Sequence, residues 1–406
     1  LFITLLIAKI NAQGCSTIAT RPEIRQLSSD QLSRFINAFI KLNATQNNYY
    51  SISSGIHYNN SPVAHGVPAF FPWHREFLRR FELALQKVDP TVILPYWDWT
   101  IDSQSPEKSV VFQPDHFGGN GGSNGCITTS QFTNFQAFIP NGHCLQRQFN
   151  GGNAINSFYS PEAVESIFIQ STDYNSFHNG IENGPHGAVH VGIGGNSGDM
   201  SYMYSSNDPL FYLHHVFIDK LWFEWQQRNP SLANTYNGGQ VTSNDNMAPF
   251  NVPVSAVFNT QASGYCYTYS RWSGSNQAVN SATGAVNGPG STGSTGSTGT
   301  GSTGTGSTGT GSTGSTGTGI SRRANVDFNA QIEAMVKNGF SNILQKVISP
   351  LDRQTRGKIR VPSPLPESYI SMNNLNLQAV RANEQKLATV VSILNSLEGY
   401  QPIADL

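Results

Sequence analysis

The chain has little charge: of 406 residues, 24 are Lys or Arg and 25 are Asp or Glu, 12% in all. A formal net charge of −1 provides no basic field for a phosphate backbone and no polybasic patch for a lipid surface. Neither nucleic acid nor membrane is therefore an expected partner. No apolar run reaches the roughly 18–20 residues that span a bilayer. Cysteine is also scarce. The four residues Cys15, Cys126, Cys144 and Cys266 include no C-x-x-C pair, which argues against zinc-ribbon and thioredoxin chemistry. The chain is instead rich in core and loop material, with 38% hydrophobic residues, 11% aromatics, 39 Gly and 21 Pro. A globular protein of two or three units is expected at roughly 100–200 residues per domain.

The apolar run Leu1–Ala8 is followed at once by polar sequence, and Ala12 and Gly14 stand at −3 and −1 of a cut before Cys15. Residues 1–14 are read as a signal peptide without its start, and the protein as secreted. Four cysteines fit an oxidising compartment and allow three pairings, between which the sequence does not choose. The preferred pairing clips one loop with Cys126–Cys144 and ties the ends of the main domain with Cys15–Cys266. From Gly288 to Gly319 the chain is almost pure Gly, Ser and Thr, which bury no apolar surface and read as a linker. The expected organisation is a main domain over 15–275, a linker over 276–322 and a tail over 323–406. Arg322-Arg323 offers a dibasic site to a processing protease.

The main domain reads as mainly helical. One helix begins at Ser28/Ser29, with Leu32, Phe35, Ile36, Phe39 and Ile40 at 3–4 spacing. A second opens at Pro72, carries Phe77, Leu78, Phe81, Leu85 and Val88, and stops at Asp89-Pro90. A third runs from Pro209 to about Gln227. Residues 103–150 and 192–206 read as long loops of the kind that line active sites. In the tail, 373–397 reads as an amphipathic helix.

Ten histidines are present. A lone histidine is usually a surface or hydrogen-bonded core residue, and His116, His143 and His178 are read that way. The others are grouped. His186 and His190 are four apart, so on a helix both rings leave one face and can grip one ion. That spacing also occurs in zinc proteases, but residue 187 is Gly, not the Glu that H-E-x-x-H needs as its base. His214 and His215 lie about 100° apart on a helix, so only one can readily face the same metal. Asp219, one turn after His215, is placed to help orient the ligand side of that helix. His57, His65 and His74 form a second group. Two imidazole triads with no thiolate or carboxylate among them suit copper.

At this point whole motifs match a known family. Ala64-His65-Gly66-Val67-Pro68-Ala69-Phe70-Phe71-Pro72-Trp73-His74-Arg75-Glu76-Phe77, with Leu94-Pro95-Tyr96-Trp97-Asp98-Trp99, resembles the first copper motif of the tyrosinase, catechol oxidase and molluscan haemocyanin family. Asn207-Asp208-Pro209-Leu210-Phe211-Tyr212-Leu213-His214-His215-Val216-Phe217-Ile218-Asp219-Lys220-Leu221-Trp222 resembles the second, whose opening pair is supplied by Pro185-His186-Gly187-Ala188-Val189-His190. Arg21 and Tyr267-Thr268-Tyr269 are similar to the family's start and end markers, an arginine packed on a Tyr-x-Tyr. The likeness is greatest to short secreted fungal members.

The resemblance implies a four-helix bundle around a type-3 centre of two copper ions, with a short helical tail. One copper would be held by His57, His65 and His74, the other by His186, His190 and His215. His214 would be a helix neighbour turned away from the metal. O2 would be the co-substrate and an o-diphenol the electron donor. Some departures bear on the substrate. Where some members carry a thioether-forming Cys, this chain has Val63. A water-holding carboxylate survives as Glu182, but its usual Asn partner is Gly187, and Val191, after the next ligand, is apolar. A small phenolic or catecholic substrate in a pocket bordered by Gly187 and Val191 is expected, with diphenol oxidation dominant and monophenol hydroxylation weak or absent. Full tyrosinase or o-aminophenol oxidase activity is the alternative, and an oxygen carrier or a zinc hydrolase stands further off.

Overall fold

The computed structural model describes residues 15–44, 49–270 and 358–396. The expected signal peptide at 1–14, the linker at 276–322 and the dibasic site at Arg322-Arg323 lie outside the described residues.

Helix α1 spans Ser29–Ala44 and buries Phe35, Ile36, Phe39 and Leu42 along one stripe. Its entry is fixed by a reciprocal cap: the Ser28 hydroxyl accepts from Gln31 N–H, and the Gln31 side chain accepts from Ser28 N–H. Helix α3 spans Phe70–Val88, opening two residues before Pro72, because a proline in the first turn loses no helical hydrogen bond. Helix α7 spans Pro209–Arg228, with the Asp208 carboxylate capping Leu210 N–H and Pro209 in the first turn. α7 is buried nearly all round from Pro209 to Trp222, so it is the central helix and packs closely against α3.

Helix α2, Tyr49–Ala64, carries no apolar periodicity and was not expected from the sequence. Its buried positions are Tyr50, Ser53, Ser54, His57 and Ala64, so its inward face is largely polar, with the Tyr50 ring packed among Phe39, Phe81 and Phe135. Helices α4 (Pro161–Gln170) and α5 (Tyr174–Ile181) are capped by Ser160 and Asp173. After α5 comes a single π-helical turn, Glu182–His186, that leads into α6, Gly187–Gly194. The tail contributes α8 (Glu367–Met372) and α9 (Leu377–Ser396) rather than one helix over 373–397. Asn374, at φ 54°, turns the chain between them.

The ends of the main domain are tied as expected. Ala19–Arg21 pairs in parallel with Tyr267–Tyr269, and Cys15–Cys266 is a disulfide beside that ladder. Cys126–Cys144 is the second disulfide. Losing a native disulfide costs about 2–5 kcal/mol, so both contribute measurably to a domain rich in irregular loop. The Arg21 guanidinium lies 3.6 Å over the Tyr267 ring and pairs with Glu82 at 2.8 Å, the arginine-on-Tyr-x-Tyr packing that the motif implied.

Candidate metal centre

Four helical segments bring seven histidines to the middle of the bundle. His57 projects from α2, His65 follows the last residue of α2, and His74 stands on α3. Their ring nitrogens lie within 4.8 Å of one another. His186 ends the π-helical turn, His190 is on α6, and His214 and His215 are on α7, again within 4.8 Å. The two groups face each other, with His74 and His215 stacked at 4.3 Å between ring centroids.

Burial disfavours the charged imidazolium, so every one of these rings holds its proton far less readily than usual. His57 is pushed down to about 4 and His190 to about 3. For His65, His186 and His215 burial acts first and neighbouring imidazoles add to it. Neutral imidazole is the form that binds a metal. Buried ring nitrogens without any partner include Nε2 of His57 and His74, both nitrogens of His186, and Nδ1 of His215. Unsatisfied buried polar atoms in such number call for an occupant, and an all-imidazole donor set fits copper.

For four of the rings a hydrogen bond on the far side decides which nitrogen is available. The Nδ1 atoms of His57, His74 and His190 lie 2.7–2.8 Å from the carbonyls of Met203, Phe70 and Met200, and that of His65 lies 3.4 Å from Ser61 O. A carbonyl only accepts, so each Nδ1 carries the proton and each Nε2 keeps its lone pair. His214 is the exception. Trp99 Nε1–H donates to its Nδ1 at 3.1 Å, so its proton must sit on Nε2. The expectation that His214 turns away needs correcting: its ring stacks on His186 at 5.4 Å, and the Trp99 bond, not direction, removes its lone pair.

Asp219 also differs from expectation. It makes no bond to His215, whose Nδ1 has no partner, and its carboxylate instead takes Arg75 Nε at 2.5 Å and the Tyr267 hydroxyl at 2.6 Å. Four residues from His215 on a helix buried on every side, it serves the arginine–tyrosine network between the domain ends and α3.

Glu182 is buried at the site, accepting from Gly66 N–H at 2.8 Å and from His178 Nε2 at 2.6 Å. His178, read as an ordinary core histidine, thus stands one turn behind the carboxylate, and the i,i+4 spacing was the signal that could have revealed it. His143 meets Asp199 at 2.8 Å, while His116 pairs only with its neighbour Asp115. Gly187 and Val191 lie under the tail. A Cβ on Gly187 would come within 2.8 Å of Leu365 Cδ1 and 3.0 Å of Tyr369 Cε1. Val191 joins Leu365, Tyr369, Ile370, Leu375 and Val380 in one buried cluster. The Tyr369 ring lies 6.3 Å from that of His190.

The model of the common central domain of tyrosinase matches residues 41–228, which contain all seven histidines. The tyrosinase of Streptomyces antibioticus is 33% identical over 261 residues, 58% of this chain and 93% of that protein. The chain belongs to the tyrosinase family. Tyrosinase ustQ of Aspergillus flavus is 31% identical over 293 residues, covering 63% of this chain and 80% of its own length. Among solved structures, a mutant polyphenol oxidase of Thermothelomyces thermophila shares the fold. It has a TM-score of 0.54 and 22% identity over 63% of this chain and 89% of that one. Tyrosinase-family enzymes are type-3 copper oxidoreductases of small phenolic compounds, and the two histidine groups of this chain fit a dicopper site.

Proposed function

We propose that this tyrosinase-family protein oxidises o-diphenols to o-quinones with O2, with weak or absent monophenol hydroxylation. His57, His65 and His74 would hold one copper, and His186, His190 and His215 the other. The observation carrying this reading is the set of buried, neutral imidazoles facing one another in two groups, with His214 excluded by the Trp99 N–H. Bound there, a copper pair would supply the redox chemistry that couples diphenol oxidation to O2 reduction. Two diphenols give up four electrons and four protons, and one O2 leaves as two waters. The protein's part is to hold the six imidazoles neutral and oriented and to shape the approach over Gly187 and Val191.

The weakness towards monophenols rests on Glu182. Its two oxygens are engaged by Gly66 N–H and His178, and Gly187 offers no side chain that could hold a water against the carboxylate. A monophenol must lose its proton before attack, and no second polar side chain at 187 or 191 assists. A second reading, full tyrosinase, is favoured by the names of the Streptomyces and Aspergillus relatives. The test is the absorption spectrum of the copper-loaded protein with hydrogen peroxide, then turnover of 4-tert-butylcatechol and of tyramine. A near-ultraviolet band with quinone from the catechol alone is expected. Comparable tyramine turnover overturns the diphenol preference, and a band without turnover favours an oxygen carrier.

Secretion belongs to the same proposal. Its support is the pair of disulfides, which persist in an oxidising compartment. The tail is proposed to cover the copper site through Leu365 and Tyr369, whose side chains border Gly187.

A further inference from the structure

Of the proposed ligands, His65 and His74 lean on carbonyls four residues back, Ser61 and Phe70. His57 and His190 lean on backbone far away in the chain, and both on the same short segment: Met203 O for His57 and Met200 O for His190. That segment, 199–207, consists of the two one-turn helices Asp199–Ser201 and Ser205–Asn207 and the residues between them. Its local hydrogen bonds alone cannot fix it relative to α2 and α6.

We propose that Asp199 and His143 are positioning residues for both copper sites at once, because they clamp the turn whose carbonyls orient His57 in one ligand set and His190 in the other. The proposal rests on the ligand assignment above. The Asp199 carboxylate is buried and binds both ends of the turn. Its Oδ1 accepts from Asn207 Nδ2 at 2.9 Å and from His143 Nε2 at 2.8 Å, and its Oδ2 accepts from Gln146 N–H at 2.7 Å. Its own N–H donates to Gln146 O at 2.9 Å, and the Asn207 amide also donates to Ile139 O at 2.6 Å. The turn is thereby closed on itself and pinned to 139–147, a stretch held by the Cys126–Cys144 disulfide.

His143 completes the clamp with a charge. Its Nδ1 faces Asn141 O at 2.6 Å while its Nε2 faces the carboxylate, so both nitrogens meet acceptors and the ring satisfies both only as imidazolium. The hydrogen bond to Asp199 accordingly raises its pKa. Charge-assisted bonds are shorter and stronger than neutral ones, which suits a clamp on which two metal ligands depend. The line from the disulfide through His143 and Asp199 to the Met200 and Met203 carbonyls ends on one imidazole of each set.

Outer partners of metal-bound histidines typically contribute 10–100-fold to metal affinity. The experiment is copper titration of the full chain against a competing chelator, with kcat and KM for 4-tert-butylcatechol. It compares wild type, Asp199→Asn and His143→Gln. His143 is partly exposed, so His143→Gln provides the answer even if Asp199→Asn does not fold. Expected for Asp199→Asn is a loss of about 10–100-fold in affinity for both ions together, with kcat lowered and KM within about twofold. His143→Gln, which keeps one N–H toward the carboxylate, should lie between it and wild type. Unchanged copper affinity in both variants, or a loss confined to one ion, overturns the proposal. Failure of the ligand assignment is seen separately, as wild-type protein that takes up no copper or as His57→Ala and His190→Ala that still hold two ions.

Discussion

The two histidine groups are built on different principles. In the first, two of three rings are oriented by the backbone next to them, His74 by Phe70 O and His65 by Ser61 O. In the second, none is. His190 depends on Met200 O, neither nitrogen of His186 has a partner, and His214 Nδ1 accepts from an indole 115 residues away in sequence. The mouth of the second group also carries a cover from the tail. The first site is therefore largely a local product of α2 and α3, whereas the second exists only once distant segments have assembled. Damage away from the histidines, other than in the 199–207 turn that serves both groups, should accordingly fall harder on the second site.

The largest effect should come from removing a ligand on either side. His74→Ala and His190→Ala should each reduce catechol oxidation by about a thousandfold or more, since metal catalysis supplies several kcal/mol of stabilisation. Copper analysis should find no more than one ion per chain in each. The sharper comparison is within the Leu213-His214-His215 turn. His215→Gln should lose one copper, while His214→Gln should keep two and lose about 10–100-fold in activity, as an outer partner would. Equal copper loss in the two variants would show that His214 is a ligand after all.

The tail offers the next test. Limited proteolysis that removes α8 and α9, or Tyr369→Ala, should raise catechol turnover, by about tenfold if the cover is in place nine-tenths of the time. An unchanged rate would make Leu365 and Tyr369 a permanent wall. Gly187→Asn sharpens this, because the new side chain must displace Leu365 and Tyr369. In the full chain it should raise turnover of both substrates. In the tail-free protein it should raise tyramine relative to catechol turnover, and an unchanged ratio there would remove Gly187 from the account of substrate preference.

A separate effect, on stability rather than on rate, concerns protons. In the copper-free protein His57 and His190 titrate near 4 and near 3, below the ordinary value of 6.5. Between those values the unfolded chain binds protons that the folded chain refuses. Stability is full above pH 6.5 and falls as the pH drops towards 4, by about 1.4 kcal/mol per unit for each such ring. Thermal melting of copper-free protein at pH 7, 5.5 and 4.5 should show the decline, with a shallower slope in His57→Asn. A slope that His57→Asn leaves unaltered would place the lost protons elsewhere.

Much of this was legible in the chain. α1, α3 and α7 carry one-sided apolar spacing or strong caps, and the spacing of His186 and His190 announced a shared face. α2 was not legible, because its buried face consists of two serines, a tyrosine, a histidine and one alanine, which carry no hydrophobic period. Asp219 looked like a partner of His215 from the one-turn spacing, but on a helix buried all round the spacing does not say which neighbour a carboxylate meets. The pairing of His178 with Glu182, four residues on, was not legible either, since either side chain alone is ordinary.

The sequence by itself determined the kind of chemistry, because six or seven imidazoles without thiolates admit few metals and motifs of this length leave little choice of family. It determined the helices that carry those rings wherever local spacing and capping act over a few residues. Only the tertiary structure decided which nitrogen of His57, His190 and His214 is available, because for these rings that is set by a hydrogen bond from outside the helix: Met203 for His57, Met200 for His190 and Trp99 for His214. It likewise decided that Leu365 and Tyr369 lie over Gly187. Proton position and cover both depend on partners far apart in sequence, and no local pattern records a partner that is brought near only by folding.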